Sequence, residues 1–312
     1  MKGPLFYSKI LLFGEYGIIK DSKGLSIPYN FYNGALKVDE NPSEGAKESN
    51  RRLRLFADYL QGLQEEKPEL VKFDMKDLYE DIDRGMYFDS SIPQGYGVGS
   101  SGALVAAIYD EYAVEKITVL ENLTREKLLK LKEIFGEMES FFHGKSSGLD
   151  PLNSYLSIPI LINSKDNIEP AGIPSQLQNG KGAVFLLDSG SVGETAPMVN
   201  IFMENMKQEP FRIMLKEQFV KHTDACVDDF LKGDVKSLFG NIKKLSHVVL
   251  DNFKPMIPAQ FHKLWKKGIE TNDYYLKLCG SGGGGYILGF TEDIDKARQA
   301  LKDYRLEVVY NF

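Results

Sequence analysis

The chain has 312 residues, 43% of them hydrophobic and 26% charged, with a formal net charge of −6. That length suffices for two domains and a substantial core. The acidic balance argues against a general attraction to nucleic acid or to an anionic membrane. Lysine clusters such as Lys243-Lys244 and Lys263, Lys266 and Lys267 read as solvated helix faces. The two cysteines, Cys226 and Cys279, are far apart and outside any CxxC pair, which points to reduced thiols in a cytoplasmic protein and away from a thiolate metal site. The apolar run Ile10–Phe13 is cut short by Glu15, too short for a signal-peptide core or a membrane span.

In chain order, residues 8–19 predict a strand, a tight glycine-bearing turn and more strand. A β-rich stretch follows over 25–37, a helical segment over 49–63, and a strand at Met86-Tyr87-Phe88. Thr124 is placed to cap a helix running to Phe142, with Leu128, Leu131, Phe135, Met138 and Phe142 forming its buried stripe. Residues 152–161 look strand-like, 164–181 look like turns around a short strand, and 182–189 hold a buried strand. Helices are expected over 212–231, 234–251 and 260–275. The chain closes with strand 286–290, helix 293–304 and strand 306–310, a split β-α-β of ferredoxin-like kind. The expected domain boundary lies near residue 190.

The most informative run is Pro93-Gln94-Gly95-Tyr96-Gly97-Val98-Gly99-Ser100-Ser101-Gly102, followed by the small, apolar Ala103-Leu104-Val105-Ala106-Ala107. Glycines at every second position let backbone N–H groups approach an anion, and a helix N-terminus behind them adds the positive end of its dipole. There is no GxxxxGK[ST] P-loop. Gly97–Gly102 also satisfies GxGxxG, but about a hundred residues into the chain, away from a first βαβ unit. A tight turn into a small-residue helix is the plain structural alternative to a phosphate cradle.

A second run, Phe142-His143-Gly144-Lys145-Ser146-Ser147-Gly148-Leu149-Asp150, ends one helix and enters the next segment. Glu139, four residues before His143, projects from the same helix face, so Glu139 and Asp150 could converge. Phosphoryl transfer uses such a division, one carboxylate for Mg2+ and one for the acceptor hydroxyl. Left to themselves, Glu139 is a solvated helix residue and His143 a C-terminal cap. Lys9, on the opening strand, matters only if the fold brings it beside Asp150. Finally, Gly280 and Gly282–Gly285 enter the segment Tyr286-Ile287-Leu288. They are either a linker or a conformationally demanding loop close to a ligand.

In this order the pieces resemble the GHMP kinase family, whose three motifs match residues 8–19, 93–103 and 277–288. Residues 143–150 are similar to the His-Gly-x-Pro-Ser-Gly-x-Asp segment of its mevalonate kinases. The resemblance implies a two-domain α+β fold: a ribosomal-protein-S5-like domain over 1–192 and a ferredoxin-like domain over 193–312. It implies that Pro93, Gly95, Gly97, Val98, Gly99, Ser100, Ser101 and Gly102 surround the ATP phosphates, and that Ser101 and Glu139 hold Mg2+. Asp150 and Lys9 would be catalytic, with Glu15, His143, Ser147, Gly148, Gly282 and Gly283 lining the acceptor side. The implied reaction is phosphorylation of a small hydroxylated acid, mevalonate first, by a cytoplasmic monomer or homodimer that binds neither nucleic acid nor membrane. Phosphomevalonate, a sugar, or a nucleotide-binding homologue without turnover are the alternatives, with an NAD-dependent oxidoreductase behind them. The chain departs from the family pattern at Tyr7-Ser8 (usually Pro-Gly), Tyr16 (histidine in mevalonate kinases), Ser146 (usually proline) and Gly102 (usually alanine).

Overall fold

The computed structural model describes residues 3–39, 41–118, 123–164, 166–177 and 180–312. The strands and helices run β1 (Phe6–Phe13), β2 (Gly24–Val38), α1 (Glu44–Glu66), β3 (Lys72–Phe73), α2 (Met75–Asp83), β4 (Met86–Ser90), α3 (Ser100–Tyr112), β5 (Ala113–Val114), α4 (Arg125–His143) and α5 (Leu149–Leu156). They continue with β6 (Ile160–Ser164), β7 (Asn167–Pro170), β8 (Ala183–Asp188), α6 (Thr195–Asn205), α7 (Glu209–Met214), α8 (Lys221–Lys232), α9 (Val235–Asn252), α10 (His262–Thr271), β9 (Tyr275–Leu278), β10 (Tyr286–Thr291), α11 (Ile294–Ala300) and β11 (Leu306–Asn311). No described helix is long and apolar enough to cross a membrane.

Two compact units interleave along the chain. Unit 1 comprises Met1–Lys9, Pro28–Pro93 and Gly99–Ile158, and unit 2 comprises Ile10–Ile27, Gln94–Val98 and Pro159–Phe312. The sequence reading cuts the chain once, near 190, whereas neither unit is a continuous stretch.

In unit 1, residues Gly34–Val38 of β2 pair antiparallel with β4. Helix α3 lies at the centre because it is small and apolar almost all round, with Gly102, Ala103, Val105, Ala106, Ala107, Ile108 and Tyr109 buried. Tyr109 of α3, Phe135 of α4 and Tyr155 of α5 meet edge to face, centroids 5.0–5.5 Å apart, a geometry that fixes aromatic packing beyond simple burial. The α4 stripe is as expected, with Leu128, Leu131, Phe135 and Met138 buried and Phe142 half-buried. Its cap is Thr124, whose hydroxyl accepts from the Lys127 N–H at 3.3 Å.

In unit 2 the strand order is β11-β8-β10-β9, with antiparallel neighbours. The chain visits β8, β9, β10 and β11 with helices after β8 and β10, so this is the complete ferredoxin-like βαββαβ unit. Its first strand, β8, precedes residue 190. Ala183–Leu187 are fully buried, as a strand covered on both faces must be. Phe13 stacks on Phe290 of β10 at 5.5 Å.

Three segments differ from the sequence expectation. After Gly14 the chain turns as a short 3-10 helix, Gly17–Lys20, and not as a strand, because Tyr16 and Asp21 both sit at φ 59°. The expected strand over 152–161 is α5 followed by β6. Gly148, at φ 73°, starts the helix and Ser157, at φ 53°, stops it, and burial on all sides removed the alternation that tells strand from helix. The helix expected to reach residue 275 stops at Thr271, where Asn272 adopts the left-handed conformation and β9 follows.

Candidate active site

The site in unit 1 is built on three helix ends. β1 delivers Lys9, whose Nζ lies 2.8 Å from Asp150 Oδ1 on the first turn of α5. The Lys9 side chain is 4% exposed and that of Asp150 40%. Asp150 thus benefits from both an ammonium partner and a helix N-terminus. Helix α3 starts at Gly99, in the left-handed conformation and without a side-chain cap, so its first N–H groups remain available to a bound anion. A Cβ on Gly102 would lie 2.8 Å from the backbone of Asp150 and Pro151. Only glycine lets α3 and α5 approach so closely.

Helix α4 brings in Glu139, buried at 3% exposure. Ser101 donates to its Oε1 at 2.8 Å, Ser146 donates to its Oε2, and His143 Nε2 lies 3.0 Å from the Ser101 hydroxyl. Burial pushes the Glu139 carboxyl up from 4.5 to about 7, aided by the charge of Asp150 and opposed by the Ser146 and Ser101 hydrogen bonds and by Lys9. A buried carboxylate facing a second carboxylate is a site short of positive charge. Glu139 with Ser101 therefore suits a divalent cation in oxygen chemistry. The described residues hold no cluster of three or more His, Cys, Asp or Glu suited to a metal. A Mg2+ there would complete its shell with water and substrate phosphates, its usual habit.

Unit 2 holds the first part of the glycine loop. Gly97 has φ 78° and its missing Cβ would meet the Cys279 carbonyl at 2.6 Å, so both conformation and space demand glycine. Tyr286 donates its N–H to the Tyr96 carbonyl at 3.3 Å, and Gly193 donates to the Gly95 carbonyl at 2.9 Å. The run 280–285 is therefore packed structure rather than a linker. In the same unit Glu15 pairs with Lys277, both buried, and the Tyr16 hydroxyl donates to the Ser281 carbonyl at 2.6 Å.

The structure brings Lys9, Ser101, Glu139, His143, Gly148 and Asp150 together in unit 1. Ser147 is exposed and accepts from the Leu149 N–H at 3.4 Å. Glu15, Gly282 and Gly283 belong to unit 2, where Glu15 is engaged by Lys277. Sequence reasoning missed Ser146 as a partner of Glu139, Lys277 as a partner of Glu15, and the Tyr16–Ser281 bond. The departure of residue 146 from proline was the signal for the first, and the apolar alternation bordering Lys277 hinted at a buried strand. The dinucleotide alternative fails on topology: β4, the strand before the loop, pairs antiparallel with β2, outside the parallel βαβ unit that fingerprint requires.

Residues 63–157 match the family model for the GHMP kinases N terminal domain. No curated protein matches the chain by sequence. The L. major mevalonate kinase in complex with R-mevalonate is similar in structure with a TM-score of 0.64 at 18% identity, covering 100% of this chain and 96% of that one. Streptococcus pneumoniae phosphomevalonate kinase in complex with phosphomevalonate and AMPPNP gives 0.62 at 12% identity, covering 98% and 99%. Lactococcus lactis galactokinase complexed with galactose gives 0.59 at 12%, covering 98% and 92%. The shared fold spans the whole chain, and the three complexes contain R-mevalonate, phosphomevalonate with AMPPNP, and galactose.

Proposed function

We propose that this chain, whose residues 63–157 match the N-terminal domain model of the GHMP kinases, is an ATP-dependent kinase of a small hydroxylated acid, with the primary hydroxyl of mevalonate as acceptor. The observation that carries the reading is the Lys9–Asp150 pair at 2.8 Å, beside Ser101 and Glu139. A buried lysine, a half-open carboxylate, a second carboxylate suited to a cation and an uncapped helix N-terminus are the groups phosphoryl transfer needs. The similarity of residues 143–150 to the mevalonate kinase segment favours mevalonate.

Phosphoryl transfer has a loose, highly charged transition state, so positioning and electrostatics supply most of the rate. Asp150 accepts the hydrogen of the acceptor hydroxyl and aims its oxygen. Lys9, fixed by burial, holds Asp150 in place and offsets negative charge on the acceptor oxygen and the transferred group. The N–H groups at the start of α3 bind phosphate oxygens. Ser101 and Glu139 would hold Mg2+, which when bound neutralises phosphate charge. An ADP-release screen over mevalonate, phosphomevalonate, homoserine and several sugars tests the proposal. ATP-dependent turnover greatest with mevalonate is expected. Turnover with another acceptor removes the acceptor assignment, and turnover with none removes the kinase.

A further inference from the structure

Glu15 and Lys277 form an ion pair with side chains 5% and 3% exposed. Lys277 also donates to the Leu278 carbonyl at 2.9 Å and lies 5.9 Å from the centre of the Phe13 ring. Removing two charges from water is costly, and an apolar pair of similar volume stabilises as well or better. Stability alone therefore does not account for the pair. What it does is fasten the Gly14–Gly17 turn to β9, the strand leading into the glycine-rich run. A second fastening lies one residue on. Tyr16, at φ 59°, stacks on Phe202 at 4.7 Å and donates to the Ser281 carbonyl inside that run.

The run in turn grips the first part of the glycine loop. The Cys279 carbonyl abuts Gly97, Tyr286 bonds the Tyr96 carbonyl, and Gly285 donates to the Ser191 carbonyl at 2.6 Å while Gly193 bonds Gly95. Turn, run and loop form one continuous series of contacts within unit 2. A shift of the turn would pass through residues 279–286 to residues 95–97.

We propose that Glu15 and Lys277, with Tyr16, are positioning residues for the nucleotide: they set the glycine-rich run against which residues 95–97 of the phosphate loop are held. This revises the expectation that Glu15 binds the acceptor. It rests on the reading that residues 93–102 hold the ATP phosphates.

The test measures AMPPNP affinity by calorimetry, steady-state KM for ATP and acceptor, and melting temperature. The apolar double variant Glu15→Leu/Lys277→Met separates position from stability, because it leaves no unpaired buried charge. It is expected to melt at or above the wild type, to bind AMPPNP about tenfold more weakly, a loss of about 1.4 kcal/mol, and to keep its acceptor KM within about twofold. Unchanged AMPPNP affinity in a folded double variant overturns the proposal, as does a raised acceptor KM with unchanged AMPPNP affinity. Should the double variant not fold, Tyr16→Phe removes only the hydroxyl and keeps the ring stack. It should weaken AMPPNP about threefold and leave acceptor KM unchanged, and no weakening would again overturn the proposal. If the wild type fails to bind AMPPNP, the nucleotide reading itself falls. If it binds and the variants match it, only the positioning role does.

Discussion

Glu139→Gln, studied in the cation-free protein with EDTA present, turns the buried carboxylate into a test of the site. The folded state holds the Glu139 carboxyl at about 7, above the ordinary 4.5. Between those values the folded chain binds more protons than the unfolded one, so stability falls as pH rises through the window. At about 1.4 kcal/mol per pKa unit, the wild type loses about 3 kcal/mol between pH 4 and pH 8 from this group. Glutamine carries no charge to desolvate, but its amide brings two N–H donors where the protonated carboxyl has one O–H, and the extra buried donor costs about 1 kcal/mol. The variant should thus be less stable than wild type by about 1 kcal/mol at pH 4 and more stable by about 2 kcal/mol at pH 8. With a urea m-value of about 3 kcal/mol/M, the midpoints followed by circular dichroism cross and separate by about 0.7 M at pH 8. Midpoints that run parallel from pH 4 to pH 8 would refute the reasoning.

Asp150→Asn should lower kcat by about 10²–10⁴-fold, the range for loss of a positioned acid–base group, with AMPPNP affinity by calorimetry unchanged; full turnover would remove Asp150 from the reaction. Lys9→Met should lower kcat by at least about a hundredfold, and Lys9→Arg should not restore it because the planar guanidinium does not fit a site shaped for an ammonium; recovery in steady-state assays with arginine would count against a fixed point charge. Gly102→Ala forces a Cβ to within 2.8 Å of the Asp150 backbone, which should cost about 1–3 kcal/mol of stability in urea melts and reduce kcat more than ATP KM.

The conformation of the glycine loop was legible in its spacing, since Gly95, Gly97 and Gly99 all adopt the positive φ that favours glycine. Glu139 was legible as one turn from His143, since helical periodicity is local. The Lys9–Asp150 contact was legible only as a condition, because pairing of β1 with the start of α5 is set by tertiary packing. The same limit hid Lys277 and the Tyr16–Ser281 bond, where both partners lie in opposite halves of the sequence. Helix α5 was misread for another reason. With Leu149, Pro151, Leu152, Tyr155 and Leu156 all buried, its polar stripe vanished, and only the left-handed residues at its two ends marked a helix. Ser146 stands out in the sequence as a departure from proline, yet its hydrogen bond to Glu139 depends on how the loop after α4 folds back on that helix.

The two carboxylates of unit 1 differ in environment in a way that supports the proposed division of labour between them. Glu139 is closed off, with a serine hydroxyl on each oxygen, and burial works against its charge. Such a group is poorly placed to meet a hydroxyl arriving from solvent, but a cation at that point would relieve the cost of ionising it. Asp150 has one oxygen on Lys9 and a side chain 40% exposed, which leaves room for an acceptor to approach. Exchanging the roles would require the acceptor to displace both serines from a buried carboxylate, while the cation would compete with the Lys9 ammonium for Asp150. The geometry thus fits the proposed assignment, in which Lys9 stays anchored, Asp150 meets the acceptor, and Ser101 links the start of α3 to Glu139.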